Sequence, residues 1–290
     1  YLITGFETGD IPDIFHYESA TIVDFALRGY LADLSPHISQ EMKADILDVN
    51  WSSVTRSTGE IIGIPFLAAT SIVLYNTRLF EEAGIVAPSI QEAWTWDDLL
   101  AASKKLTVDR DGDGSPDQWG LAMGLRNSAN LIMNNSIAFG GSFFYHDDQG
   151  NLETRVLEPE RALLGNIYKM LYEDKVMSIA SIGKSGPELI PGFLAGKYAM
   201  VVGIGAWARQ QVFENADSSF KWSTMPMMKA KTQALGVNTQ TLSVPVSCRR
   251  QAQAMAFIQF LLSPENMTKL AASDWMMPAR KSSLADPRLQ

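Results

Sequence analysis

Residues 63–85 read GIPFLAATSIVLYNTRLFEEAGI, two apolar stretches rich in β-branched and aromatic residues followed by a short amphipathic run. EIIGIPFLAAT and SIVLYN predict a strand, a loop and a second strand. TRLFEEAG predicts a short helix stopped by Gly84. The same alternation continues in both directions. Towards the N-terminus, the turn GDIP precedes a strand in DIFHY, residues 13–17. Ile22, Phe25, Ala26 and Tyr30 then recur at spacings of three and four, the period of a helix. Towards the C-terminus, TWDDLLAASKKLT starts a helix with Thr95 as N-cap and Asp98 as its capping partner, and sets Leu99, Leu100 and Leu106 on the apolar side. Trp94 and Trp96 flank that cap and are expected to pack rather than bind.

WGLAMG predicts a strand, RNSANLIMNNSIAFGG a helix ending at a double glycine, and HDDQGN a solvated turn. EPERALLGNIYKMLYED carries a half-buried helical pattern. IPGFLAGKYAMVVGIGAWARQQVF gives a helical start, a stop at Gly196, a strand, a glycine-rich junction and another helix. FKWSTMPM and TLSVPVS predict strands, and RRQAQAMAFIQFLLSPENMTKLAAS a helix resuming beyond Pro264. Strands alternating with helices define an α/β chain whose sheets are covered on both faces.

At 290 residues the chain is long enough for two domains. With 46% hydrophobic and 19% charged residues it is a folded protein, and its longest apolar runs fall short of a membrane span. The net charge of −8, from 32 acidic against 24 basic residues, and the scatter of those basic residues argue against nucleic acid. Cys248 is the only cysteine, so internal disulfides and cysteine-rich metal clusters are excluded; it reads as a small buried hydrophobe.

DRDGDGSPDQWG, residues 109–120, has the spacing of a calcium loop. Asp109, Asp111 and Asp113 fill positions 1, 3 and 5, Gly114 makes the bend at 6, Ser115 offers a carbonyl at 7, and Asp117 stands at 9. Position 12, normally a bidentate glutamate, is Gly120. The alternative is an Asp/Gly turn held by side-chain-to-backbone bonds. Neither reading makes the loop catalytic, and no cofactor is required. A phosphate cradle is disfavoured, because four carboxylates repel an anion and no lysine follows the glycines.

The three histidines, His16, His37 and His146, are widely separated, no GxSxG elbow exists, and GIGAW lacks the rest of a nucleotide fingerprint. A carboxylate pair converges only in space, so a glycoside hydrolase remains the competing class. Strand ends instead carry aromatic, amide and small residues: Tyr17 and Glu18, Phe66 and Thr70, Asn127 and Asn130, Trp207, Asn238, and Trp275. That mixture suits a polar ring-shaped ligand, its apolar faces stacked and its hydroxyls held by amides and carboxylates.

The ordered set GDIPDIF (9–15), GIPFLAATSIVLYNTRLFEEAGI (63–85), TWDDLLAASKKLT (95–107), DGDGSPDQWGLAM (111–123), FGG (139–141), FLAGKYAMVVGIGAW (193–207) and SPENMTKLAASDWMMPARKS (263–282) resembles the extracellular solute-binding proteins of ABC transporters, in the maltose-binding-protein-like sugar branch. The resemblance implies a type II periplasmic-binding-protein fold of two α/β lobes with a ligand cleft between them. The chain would cross near Asn76 and again near Gly236, giving one lobe 1–76 with 237–271 and the other 77–236 with 272–290. It implies no catalysis, a monomer peripheral to the membrane, and delivery of a carbohydrate to permease subunits. The location would be periplasmic or extracellular, with a lipid anchor as one form. By match of position, Glu18 would take sugar hydroxyls, Ala69 and Thr70 would line the same wall, Asn127 and Asn130 would face the ligand from a helix start, Trp207 would stack on a ring, and Trp275 would make a late aromatic contact. Arg126 and Arg280 are the basic residues at matched positions, too few to favour the glycerol-phosphate binders of the same family. Members carry a further strand and helix before the first motif and further closing helices after the last, so both are expected to be missing here.

Overall fold

The computed structural model describes residues 1–149, 151–274 and 276–289. Along the chain the elements are α1 (Leu2–Thr8), β1 (Phe15–Glu18), α2 (Ser19–Leu27), α3 (Gln40–Asp45), α4 (Asp48–Ser52), β2 (Ile64–Ala69), β3 (Ser71–Asn76), α5 (Thr77–Glu82), α6 (Trp96–Leu106), β4 (Trp119–Met123) and α7 (Ala129–Phe139). They continue with β5 (Phe144–His146), β6 (Leu152–Thr154), α8 (Glu158–Tyr168), α9 (Ala180–Gly183), α10 (Gly186–Leu194), β7 (Tyr198–Gly205), α11 (Ala208–Asn215), β8 (Trp222–Met225), β9 (Asn238–Ser243), α12 (Gln251–Leu261), α13 (Pro264–Asp274), β10 (Met277–Pro278) and α14 (Lys281–Leu284).

The chain divides into two compact units, Tyr1–Ala69 with Val237–Gln290, and Thr70–Gly236. This corrects the expected division at two places. The first crossing falls at Ala69/Thr70 rather than near Asn76, because β3 pairs with β7 and β8 of the second unit. Residues 272–290 group with the first unit, because Met277 and Pro278 pair with Ala68 and Leu67 of β2.

Unit 1 holds a sheet of order β1-β9-β2-β10, antiparallel at each pairing. Its core gathers Ile22 and Phe25 of α2, Ile64 of β2, Leu242 of β9, and Met255 and Ile258 of α12. Helix α1, for which the sequence reading supplies no element, is tied to this core by Phe6, whose ring stacks on Tyr30 at 4.6 Å.

Unit 2 holds a sheet of order β4-β7-β3-β8, with β4 and β7 parallel and the other pairs antiparallel. Both faces are buried. Val73, Leu121, Met123, Met200 and Val202 enter one core, while Leu74, Ala122, Val201 and Ile204 enter another. The strands thus serve a core on each face, which is why KYAMVVG reads as an unbroken apolar run. The expected helix start at Thr95 is present as a capping box with Asp98. HDDQGN joins β5 to β6, a small hairpin whose connection includes Gly150, outside the described residues.

Candidate functional site

In unit 2, register decides which residues share an edge of the sheet. Ser71 at the start of β3 lies opposite Gly205 at the end of β7, and Met123 at the end of β4 lies beside Val202. Thr70, the 124–130 turn and Trp207 therefore leave the sheet along one edge. Sequence-distant candidates Thr70, Asn127, Asn130 and Trp207 are brought to the same rim. Asn127 is exposed and adopts φ 58°, a left-handed conformation that asparagine tolerates better than most residues. Asn130 is exposed in the first turn of α7. The Thr70 hydroxyl donates to the Gly236 carbonyl at 3.1 Å, so its proton is committed to the backbone.

Trp207 precedes α11 and is half-buried, its indole packed partly against the Leu74–Val201 core. Two glycines arrange it for different reasons. Gly203 has φ 73° and lies against Leu131 of α7. Gly205 is needed for space: a Cβ there would collide with the indole Nε1 of Trp207. Arg209, which the sequence reading overlooked, follows in the first turn of α11. Its Nε donates to the Ala206 carbonyl at 3.1 Å, and burial pushes its guanidinium pKa down. The signal for it was a basic residue two positions after the tryptophan at a helix start.

In unit 1 the Glu18 carboxylate, at the end of β1, accepts a hydrogen bond from Asn238 Nδ2 at 2.8 Å. Asn238 opens β9 opposite Ala69, which is buried and so offers little but backbone. Tyr17 is exposed, with its ring edge-on to Phe25 at 6.0 Å. Phe66 is half-buried and edge-on to His16 at 5.4 Å, and His16 Nε2 lies 2.6 Å from Gln240 Oε1. This His16–Gln240 pair was also missed, since its residues stand 224 apart in sequence.

Arg280 is not a ligand residue. It is 5% exposed, its Nη1 bonds Asp45 at 2.8 Å, and its Nε donates to the Leu262 carbonyl at 2.8 Å. Its charge is spent inside unit 1. Burial pushes the Asp45 pKa upward, but bonds from Ser282 and Arg280 outweigh it and the net shift is down. Arg126 is paired with Glu188. Trp275 lies outside the described residues.

In the acidic loop, Asp109, Asp111 and Asp117 can each offer an oxygen within 4.8 Å of the others, and all three are exposed. Asp113 is not in that group of carboxylates; its Oδ1 accepts from the Ser115 amide at 2.7 Å. Asp109 accepts the amides of Gly112 and Gly114, and the Gly114 bond is the main cause of its lowered pKa. Asp117 accepts the Arg110 amide at 2.6 Å. A carboxylate has about four lone-pair sites, so these bonds leave capacity for a hard cation. The loop precedes β4 and so stands at the opposite end of that strand from Asn127.

Residues 2–268 match the bacterial extracellular solute-binding protein family. The chain belongs to that family. A lipoprotein in the oleD 5′ region of Streptomyces antibioticus, itself uncharacterised, is 33% identical over 99% of this chain and 62% of its own length. The chain therefore spans less than two thirds of this relative's length. Among solved structures, an ABC substrate-binding protein from Listeria monocytogenes in complex with cycloalternan superposes with a TM-score of 0.79 at 23% identity, covering 98% of this chain and 70% of that one. Maltose-bound MalE3 of T. maritima superposes with a TM-score of 0.80 at 20% identity, covering 99% and 72%. The two-lobe α/β fold of solute-binding proteins is thereby shared, and the family is one of binding proteins rather than enzymes. Among the described residues no helix is long and apolar enough to cross a membrane.

Proposed function

We propose that this solute-binding protein takes up a mono- or oligosaccharide and delivers it, outside the cytoplasm, to the permease subunits of an ABC transporter. The observation that carries the reading is the rim of the unit 2 sheet. Trp207 stands there over a glycine that a Cβ would spoil, on the same edge of the sheet as the exposed Asn127 and Asn130. An indole face suits the C–H face of a pyranose, and amides suit its hydroxyls. In unit 1 the Glu18–Asn238 pair presents a carboxylate and an amide already held in one geometry, which lowers the ordering cost of binding. The sugar complexes of the two superposed structures support the same ligand class. A phosphate ester is disfavoured, because Arg126 is paired with Glu188 and Arg280 is buried.

Isothermal calorimetry against a panel of mono- and oligosaccharides tests the reading, with product analysis of whichever sugar binds most tightly. Saturable binding without turnover is expected. Steady release of cleaved product in proportion to protein would replace the transport reading with a glycosidase.

A further inference from the structure

Unit 2 contains a pocket of about 350 Å³ beside the Trp207 rim that none of the candidate sugar contacts except Thr70 uses. Its walls come from Thr70 and Ile72, from Met225 and Met227 at and beyond the end of β8, from Ile90, and from Leu235. Its wall is mostly apolar, and its size is that of a small-ligand site. The pocket and the rim are neighbours by strand register. Ser71, in its wall, lies directly opposite Gly205, the residue beneath the Trp207 indole. A pyranose on Trp207 would thus have this pocket as its neighbour across one strand spacing.

We propose that the pocket receives an aryl aglycone, making the ligand a glycoside rather than a free sugar. This rests on the carbohydrate reading above. The chemistry of the wall favours a flat apolar group. Met225 and Met227 line the pocket while packed in the core that fixes their positions, and methionine sulfur makes favourable contacts with aromatic rings. Ile90, by contrast, is 69% exposed at the mouth. A large apolar side chain left in water there gains from an apolar occupant that covers it. The polar groups, on Thr70, Ser71, Thr224 and Gln233, are few, as expected where they orient a ligand rather than bind a second sugar.

The test has two arms on the intact protein. In the first, phenol is titrated into protein labelled with 13C at the methionine methyls. Shifts are expected at Met225 and Met227, which line the pocket, and not at Met255 or Met267, which lie in the core of unit 1. In the second, calorimetry compares methyl and phenyl glycosides of α-glucose, β-glucose and N-acetyl-β-glucosamine. At least one phenyl glycoside is expected to bind tenfold or more tightly than its methyl partner. Ile90→Asp and Leu235→Gln should each remove that gain and leave the methyl glycoside unchanged. Ile90 is exposed, so the first variant keeps the fold; Leu235 is partly packed, so its midpoint of thermal unfolding is measured alongside. Equal binding of methyl and phenyl glycosides, with Met225 and Met227 unmoved by phenol, overturns the proposal and leaves the carbohydrate reading standing. Phenol shifts without binding of any glycoside would instead sustain the aryl site and remove the carbohydrate reading.

Discussion

Trp207 is where a single side chain carries the most functional weight. It is neither a core residue nor a free one: part of the indole packs on the Leu74–Val201 core and part faces solvent. A stacking residue of this kind concentrates binding energy, so Trp207→Ala should weaken the best-binding sugar by on the order of 2 kcal/mol, roughly thirtyfold. The companion variant separates stacking from bulk removal. Gly205→Ala keeps the indole but forces it from its seat, and should also reduce affinity, with little change in the denaturant midpoint of either variant. If Trp207→Ala instead lost the 3–5 kcal/mol of stability typical of a core tryptophan while its folded fraction bound normally, the residue would belong to the core alone. Arg280 shows the limit of reading single residues. Its basic side chain beside a matched motif looked available, yet its partner Asp45 is 235 residues away, and no local pattern announces such a pairing.

Elements were legible where their determinants are local. The α6 start is written in Thr95 and Asp98, three residues apart, and both arms of that capping box are formed. Short elements that exist only through tertiary contact left no trace: β10 is two residues long and depends on β2, and α1 depends on Phe6 finding Tyr30. The small hairpin is similar, because what holds it is Glu160 of α8. That fully buried carboxylate accepts from the Ser142 and Phe143 amides, the Leu157 amide and the Tyr145 hydroxyl. Burial alone would raise its pKa, but these bonds, led by Tyr145, bring it from 4.5 down to about 2. A depressed carboxylate gives stability that is complete above its unfolded value and is lost as pH falls through the folded one. The window is therefore between about 4.5 and 2. Glu160→Gln turns an amide N–H2 toward donors and should cost about 1–3 kcal/mol at neutral pH. It should also flatten the acid limb of the stability curve in that window, read by chemical denaturation at stepped pH. The acidic loop makes a further prediction at this scale. Calcium that binds only the native state adds RT ln(1 + [L]/Kd), so millimolar calcium should raise the melting temperature, and Asp109→Asn should reduce the rise. Unchanged melting with calcium or chelator would leave the loop a turn held by its own Asp-to-amide bonds.

For the whole molecule, the order of assembly follows from where the chain crosses between units. Unit 2 is a single continuous segment with a core on each face of its sheet. Unit 1 is interrupted, and its central pairing sets Ala69 against Asn238 on either side of the whole intervening segment. Closing a loop of that length in an unfolded chain costs about 4–5 kcal/mol beyond a constant. Once unit 2 has folded, the cost has already been met. Its first and last residues, Thr70 and Gly236, are joined by a hydrogen bond across 166 positions, so β2 and β9 emerge from neighbouring points with their register nearly set. The sequence showed both sets of strands but not this dependence, because the link lies in a threonine hydroxyl and a distant carbonyl. Pulse-labelled hydrogen exchange during refolding should therefore protect amides of β3, β4 and β7 before those of β1, β2 and β9. Thr70→Val, which keeps the shape and removes the hydroxyl, should delay the second phase more than the first. Protection of β1 and β9 ahead of β7 would mean that unit 1 closes its long loop unaided, and the templating argument would fail.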